Sequence, residues 1–381
     1  MNRFPAILIG GPPHSGKSVL TYSLTHALRE RGVKHYVIRA APDGEGDWSN
    51  EADQNLVREL RFKGEFTPAF TDFVCRSLRQ RHYPVLVDAG GRPTPEQERI
   101  FDECTHAVLL TPNAQAQAHW RALCEQHALP IIADLTSQLQ GNPHITAGAP
   151  ILEGVITGLE RRCTASGPVF EALVEKVAAV LSYDADELFR RIESACPVET
   201  VIDLQRLAST FNVPFEGQRP QWQPHHLSSL LNYLPAATSL GLYERGTNWI
   251  YAAVALLSLP ADFYQFDPRL GWVPARTLHK GQAPGQAINV KEYSLPDGIH
   301  LEFEIPATLL DYAELPNLVV PELPPDRGVI LGGKIPYWLY TSLARTYQSQ
   351  PWIAVYQPQL TGAVVVHTTA PSYAIGDLLA I

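Results

Sequence analysis

A glycine-rich segment near the start of the chain constrains the fold most strongly. Residues 4–9 form a short apolar run, residues 11–18 read G-x-x-x-x-G-K-S, and an amphipathic pattern continues through residue 31. In this order of strand, loop and helix, backbone N–H groups and the helix N-terminus surround a phosphate group. The segment therefore predicts an N-terminal P-loop NTPase domain of the α/β class, with a mostly parallel sheet.

The motif also predicts which side chains contact the nucleotide and its metal ion. Lys17 is expected to bridge the β- and γ-phosphates of ATP, and the Ser18 hydroxyl to bind Mg²⁺. Asp88 follows the apolar run 84–87, where a second carboxylate for Mg²⁺ is expected; a helix-capping role is the alternative. The predicted ATP-binding residues are Gly11, Ser15, Gly16, Lys17, Ser18 and Asp88.

The strand pattern of this region resembles P-loop ATPases of the dethiobiotin-synthetase and ParA-like group, including Val-Asp-Ala-Gly-Gly at residues 87–91. The loop lacks the additional lysine that those families often carry. An acidic loop with Asp43, Glu45 and Asp47 follows the predicted strand 34–39. It could activate water or an acceptor hydroxyl, as in small-molecule kinases, or be a solvated loop. ATPase and kinase chemistry both stay open.

Composition narrows the classes of partner. The 381 residues carry a net charge of −9, which argues against non-specific binding to duplex nucleic acid. The five cysteines are widely spaced and form no metal-type pair, as in reduced cytosolic proteins. No apolar run has the length of a membrane helix. We therefore expect a cytoplasmic protein that does not bind membranes.

A tandem duplication organises the C-terminal half. Trp249-Ile250-Tyr251 and Trp338-Leu339-Tyr340 are related by an offset of 89, and residues 266–270 and 356–360 by an offset of 90. Apolar runs flank both helical patterns, so each copy is predicted to be a strand–helix–strand unit. The predicted domains are the P-loop domain 1–185, a helical and proline-rich connector 186–235 with a helix at 200–211, and two modules at 236–286 and 287–381.

Two motifs of the last module identify a family. Residues 328–339 read GVILGGKIPYWL, and residues 354–366 read AVYQPQLTGAVVV. They resemble the CRISPR-associated ring nucleases of type III systems, in the form fused to a P-loop ATPase. The resemblance implies an enzyme that binds and cleaves cyclic tetra-adenylate, and so switches off type III signalling, within a symmetric homo-oligomer of at least two chains. The alternative is a non-catalytic sensor of the messenger that regulates the ATPase or kinase domain.

The family's catalytic side chains are only partly present. Gln348 and Gln357 replace a histidine and an aspartate of the second copy, and glutamine has no pKa useful for acid–base chemistry. The first copy retains Asp-Pro-Arg-Leu at 267–270, where a turn-forming role for the aspartate is equally consistent. We therefore expect a composite site between the copies. Its catalytic residues are Asp267, His279 and His367, and its messenger-binding residues are Arg245, Arg269, Gly332, Gly333 and Lys334.

Overall fold

The computed structural model describes residues 3–41, 68–160, 162–217, 219–281, 287–306 and 310–381. The chain forms two compact units. The first comprises Met1–Arg190 and Pro268–Gly271, and the second comprises Arg191–Asp267 and Trp272–Ile381. No helix among the described residues is long and apolar enough to cross a membrane.

A seven-stranded sheet forms the centre of the first unit. Its strands are β1 (Ala6–Gly10), β2 (Tyr36–Arg39), β3 (Val85–Asp88), β4 (His106–Thr111), β5 (Ile131–Gln138), β6 (His144–Ala147) and β7 (Leu152–Thr157). The order is β2-β3-β1-β4-β5-β7-β6, and every neighbouring pair is parallel except β6 and β7. The carboxyl ends of β1 and β3 therefore lie side by side, with Ile9 in register with Asp88.

Helices cover both faces of this sheet. They are α1 (Lys17–Glu30), α2 (Pro68–Arg79), α3 (Pro95–Glu98), α4 (Ala114–Gln126), α5 (Pro168–Leu181) and α6 (Ala185–Glu193). Ile7 and Ile9 of β1 belong to one apolar cluster, whereas Leu8 belongs to the cluster on the other face. Burial on both faces explains why the strand is a continuous apolar run. The predicted α/β class with a mostly parallel sheet is confirmed.

The second unit contains two larger sheets. The first has β8 (Thr200–Asp203), β11 (Leu240–Tyr243), β12 (Phe263–Asp267) and β13 (Gly271–Pro274), in the order β13-β12-β11-β8. The short strands β9 (Phe215–Glu216) and β10 (Arg219–Pro220) pair with each other. Helices α7 (Leu204–Thr210), α8 (His226–Tyr233) and α9 (Asn248–Leu257) lie between these strands in the chain.

The second sheet of this unit has six strands. They are β15 (Asn289–Ser294), β16 (Gly298–Glu304), β18 (Gly328–Gly333), β19 (Trp352–Gln357), β20 (Gly362–Thr368) and β21 (Leu378–Ala380), adjacent in that order. Helix α10 (Tyr337–Thr346) connects β18 to β19, and β14 (His279–Lys280) pairs with β17 (Val319–Val320). Strands β16, β18 and β19 are parallel, and β20 runs antiparallel to β19.

The two sheets repeat one topology. The order β8-β11-β12-β13 of the first copy (residues 200–274) matches β16-β18-β19-β20 of the second copy (residues 298–368), and the first three strands are parallel in both. This arrangement supports the duplication. The first copy begins at Thr200, well before the segment in which its sequence matches that of the second copy. The predicted helix at 200–211 is wrong at its start, because Thr200–Asp203 pairs with β11 and Asp203 caps α7.

Helices α9 and α10 pack the two copies together. The guanidinium of Arg345 on α10 is buried and donates to the carbonyl oxygen of Ala255 at 3.0 Å and to the Ser258 hydroxyl at 2.7 Å. Burial lowers the pKa of Arg345. Thr341 on α10 donates to the Gln265 side chain of β12 at 2.9 Å. The copies therefore share one interior, in which these buried polar side chains are paired across the two copies.

Candidate functional site

The glycine-rich loop of the first unit connects β1 to α1 in a tight turn. A Cβ added to Gly11 would lie 2.0 Å from the carbonyl oxygen of Leu110. Gly16 has a φ of +90°, and a Cβ there would lie 2.7 Å from the Leu159 Cβ. Both positions therefore require glycine. The backbone passes close to neighbouring residues at both points between β1 and α1, and this explains why glycine occurs at these two positions.

The side chains of this loop lie where the motif predicts them. Lys17 is buried at the start of α1, and its Nζ donates to the Pro12 carbonyl oxygen at 2.8 Å. The buried Ser15 hydroxyl has no hydrogen-bond partner among the described residues. Ser18 is partly buried on the first turn of α1. A glycine-lined loop with an unpaired hydroxyl and a lysine fits a bound phosphate group.

Asp88 lies at the end of the neighbouring strand β3. Its Oδ2 is 3.2 Å from Nη1 of Arg39, which ends β2. In register, Asp88 is opposite Ile9 of β1, so its carboxylate is at the strand ends from which the glycine-rich loop begins. The Asp88 carboxylate and the Ser18 hydroxyl supply oxygen atoms, the kind of ligand that Mg²⁺ prefers, so their chemistry fits the prediction. The acidic residues Asp43, Glu45 and Asp47 lie outside the described residues.

Two matching turns of the second unit lie at the ends of parallel strands, as the glycine-rich loop does in the first unit. One follows β11 at residues 244–246, and the other includes the end of β18 at residues 333–335. Glu244 has a φ of +75° and Gly333 a φ of +124°, and the offset between them is again 89. The exposed cations Arg245 and Lys334 come directly after these residues. We call the two segments the paired turns.

Each of the paired turns is held by a tyrosine from the following helix. The Tyr251 hydroxyl donates to the Glu244 carbonyl oxygen, and the Tyr340 hydroxyl donates to the Gly333 carbonyl oxygen at 2.6 Å. Burial raises the pKa of Tyr340 to about 12, so its hydroxyl stays a donor at neutral pH. The repeated hydrogen bond places Arg245 and Lys334 in equivalent positions on the two copies.

The two copies also contact each other beside the paired turns, through the first residue of α10. The Tyr337 hydroxyl of the second copy donates to the Gly246 carbonyl oxygen of the first at 2.8 Å, and its ring centroid is 4.9 Å from that of Tyr251. Burial raises the pKa of Tyr337, and the positive charge of Arg245 opposes part of that rise. Tyr337 therefore links the paired turns, and its exposed ring lies beside the buried ring of Tyr251.

The comparison with known proteins concerns this second copy. The family described as CRISPR-associated protein (Cas_csx3) matches residues 304–380. An uncharacterized protein of Aquifex aeolicus (strain VF5) is 35% identical over 85 residues, which cover 19% of this chain and 76% of that protein. The chain belongs to the Cas_csx3 family. It is therefore a CRISPR-associated protein, and residues 304–380 are its Cas_csx3 segment.

The Cas_csx3 segment contains one of the paired turns but not the other. It begins at Glu304, the last residue of β16, and it includes β18, α10, β19 and β20. Gly332, Gly333 and Lys334 lie within it, whereas Arg245 belongs to the first copy. The predicted messenger-binding residues therefore come from both copies. Arg269 is part of the first compact unit, where its guanidinium carbon lies 5.7 Å from the centroid of the Phe73 ring.

The three predicted catalytic residues do not form one centre within a chain. Asp267 ends β12, at the same sheet edge as the turn after the parallel strand β11. The chain then returns through β13, and the amide of Ala275 bonds to Phe263 at the beginning of β12. His279 follows beyond this point, exposed on β14. The intervening length of β12 is about 13 Å, too far for a shared proton transfer.

His367 shows the same separation in the second copy. It lies on β20 opposite Ile353, near the beginning of β19, whereas Gln357 ends β19 beside the paired turns. Burial lowers the pKa of His367. The physical reason is strand direction: an antiparallel strand carries the residues after its turn back to the opposite sheet edge. The composite catalytic site expected from sequence is therefore not assembled inside one chain.

His300 of β16 was not among the sequence candidates. It is 8% exposed, and its Nε2 has no hydrogen-bond partner among the described residues. Its ring lies 5.6 Å from that of Tyr293 and 6.0 Å from that of Tyr356. A Cβ on Gly332 would lie 2.6 Å from Nε2, so the glycine makes room for the imidazole. Only the pairing of β16 with β18 shows this relationship.

Proposed function

We propose that the second unit binds a cyclic oligoadenylate of the tetra-adenylate class at the paired turns, as a sensor in type III CRISPR signalling. The single observation that carries this proposal is the pair of equivalent cations, Arg245 and Lys334, on two turns that the hydrogen bond from Tyr337 of α10 to Gly246 links. A cyclic oligoadenylate repeats one phosphate and one base around a ring. Two equivalent turns within one chain match that repetition.

The chemistry of the paired turns suits this ligand. Arginine and lysine form charge-assisted hydrogen bonds to phosphate oxygens. Aromatic rings beside such cations stack on bases that are not in a duplex. Tyr337 is 40% exposed and lies against Tyr251, so its ring is accessible at the surface. A local cationic site of this kind is compatible with the overall charge of −9, because the attraction acts at short range.

We also propose that the first unit binds and hydrolyses ATP with Mg²⁺ at residues 11–18. The glycine requirements at Gly11 and Gly16 and the unpaired Ser15 hydroxyl support phosphate binding. Lys17 would contact the β- and γ-phosphates, and Ser18 and Asp88 would hold Mg²⁺, which supplies charge stabilisation of the phosphates. A kinase acting on a small molecule is the alternative for this unit.

A second candidate for the second unit is cleavage of the messenger, and the position of Asp267 favours it. Asp267 is at the same sheet edge as the turn that carries Arg245. There it could accept the proton of a ribose 2′-hydroxyl, whose oxygen then attacks the neighbouring phosphorus and displaces the 5′-oxygen. His279 and His367 lie at the opposite edges, so protonation of that leaving oxygen would require a homo-oligomer. Binding without cleavage needs no such assembly.

The test is a titration of the full chain with cyclic tetra-adenylate, followed by mass analysis of the products. Arg245→Gln and Lys334→Gln are each expected to weaken binding about tenfold, the loss expected when one charged hydrogen bond is removed. Arg206→Gln, an exposed arginine paired with Asp203, is the matched control. Unchanged affinity in both turn variants would refute the binding site. Linear products that disappear in Asp267→Ala would establish the cleavage candidate instead.

A further inference from the structure

The first unit contains a cavity of about 430 Å³ beside the glycine-rich loop. One wall is the loop itself, at Pro12 and His14. The second wall is the segment after β3, at Gly91 and Arg92, and the third is α4, at His119 and Trp120. Pockets that hold small organic ligands have volumes of this order. The size of the cavity therefore suits a molecule as large as a nucleoside monophosphate.

The cavity is lined by one cationic side chain and two imidazoles. Arg92, His14 and His119 all line it and are exposed. Among the described residues, no acidic side chain lines the cavity, and no hydrogen bond or ion pair of Arg92 is present. Trp120 and the prolines supply an apolar wall. A guanidinium beside an apolar wall is suited to a molecule that has an anionic group and a planar or apolar body.

The cavity adjoins the segment that Lys17 contacts. Lys17 Nζ donates to the Pro12 carbonyl oxygen at 2.8 Å, and Pro12 is also part of the cavity wall. A Cβ on Gly91 would lie 2.4 Å from the Pro13 nitrogen, so the segment after β3 packs directly on the loop. Asp88, the proposed Mg²⁺ ligand, is three residues before Gly91. A ligand in the cavity would therefore lie next to a nucleotide held by the loop.

We propose that this cavity binds a second ligand, a small anionic molecule with its anionic group on Arg92, beside the nucleotide. The proposal rests on nucleotide binding at residues 11–18. It extends that function by assigning a role to His14, Arg92 and His119, which the nucleotide site does not use. A plain ATPase needs no such cavity, because its second substrate is water.

The test uses the full chain saturated with Mg²⁺ and a non-hydrolysable ATP analogue. Calorimetric titration with AMP and with inorganic phosphate probes the cavity. We expect both to bind, with AMP tighter because its base contacts the apolar wall, and phosphate to compete with AMP. Arg92→Gln should weaken AMP binding at least tenfold, and His119→Gln severalfold. Arg99→Gln, an exposed arginine paired with Asp72, is the matched control and should change nothing.

The outcomes separate this inference from the proposed nucleotide site. If the loaded chain binds neither probe, or if Arg92→Gln and His119→Gln leave both affinities unchanged, the second site is refuted. Lys17→Ala should abolish binding of the ATP analogue while phosphate still binds through Arg92. Loss of phosphate binding in Lys17→Ala would mean that the phosphate occupied the glycine-rich loop, which also refutes the second site. Retained binding of the ATP analogue in Lys17→Ala would refute the nucleotide site.

Discussion

The Tyr337 hydroxyl donates a 2.8 Å hydrogen bond to the carbonyl oxygen of Gly246, 91 residues earlier in the chain. The bond connects the two copies of the duplicated unit at the surface that carries Arg245 and Lys334. Because each turn is also held by its own tyrosine, Tyr251 or Tyr340, the backbone next to both cations is held in place before any ligand arrives. Such preorganisation reduces the entropy lost on binding.

Tyr337→Phe should distinguish the effect of the hydrogen bond from the effect of the ring contact. The substitution removes the donor to Gly246 but keeps the ring beside Tyr251. We expect a loss of about 1 kcal/mol in the free energy of unfolding and a severalfold weaker affinity for cyclic tetra-adenylate. Denaturant unfolding and ligand titration measure the two effects. Tyr293→Phe, at an exposed tyrosine of β15, is the control. Equal behaviour of the two variants would contradict this role for Tyr337.

Arg345→Ala should destabilise the second unit strongly. The substitution removes the donor to the Ser258 hydroxyl oxygen and the Ala261 carbonyl inside the shared core, and the Ala255 carbonyl keeps only its bond from Ser258 among the side-chain donors of the described residues. We expect a loss of about 3 kcal/mol, and an intermediate loss for Arg345→Lys, which has fewer donors in a different geometry. Chemical denaturation provides the measurement. A change as small as that of the exposed Arg206→Gln would mean that these bonds do not stabilise the core.

Gly332→Ala should destabilise the six-stranded sheet through His300. The added methyl group would lie 2.6 Å from the imidazole Nε2, so the ring or the strand must move. We expect a loss of about 1–3 kcal/mol, the usual range for overpacking. The double variant Gly332→Ala with His300→Ala should recover part of that loss. Gly148→Ala, at a position with open space around the added methyl, is the control. Additive losses in the double variant would contradict the proposed contact.

The stability of the second unit should decrease on acidification below neutral pH. Burial lowers the pKa of His300 and of His367 below the ordinary value of 6.5. The unfolded chain therefore binds protons at these residues before the folded chain does, and stability is lost as the pH falls through 6.5 towards the folded pKa. Thermal unfolding between pH 7.5 and 5 measures the slope. His300→Asn and His367→Asn should each reduce that slope, whereas the exposed His144→Asn should not.

Lys17→Ala should abolish nucleotide turnover by the first unit. The lysine is expected to contact the β- and γ-phosphates, and no other cation belongs to the motif. Release of phosphate from ATP with Mg²⁺ is the measurement, with Lys176→Ala as a control at a partly buried lysine of the same unit, which donates to the Pro150 carbonyl oxygen. Full turnover by Lys17→Ala would remove the basis for a P-loop site. Phosphate release without an added acceptor would favour an ATPase over an obligate kinase.

The local signals of the sequence predicted much of the framework. The strand–loop–helix order around residues 11–18 follows from glycine spacing and apolar periodicity within one segment. The repeat offset of 89 related the helices of the two copies without any coordinates. The same offset relates Tyr251 to Tyr340, so the sequence also carries a signal for the two hydrogen bonds that hold the turns. Each of these features depends on residues close together in the chain.

What the sequence by itself determined is therefore the α/β class, the glycine-rich loop and the duplication. Only the tertiary structure decided that Thr200–Asp203 is a strand, because its pairing partner β11 lies 40 residues later. It also placed His279 and His367 away from Asp267, since strand direction determines the edge that a side chain reaches. His300 meets Gly332 only when β16 pairs with β18. Contacts across strands depend on register, which no single segment of the sequence specifies.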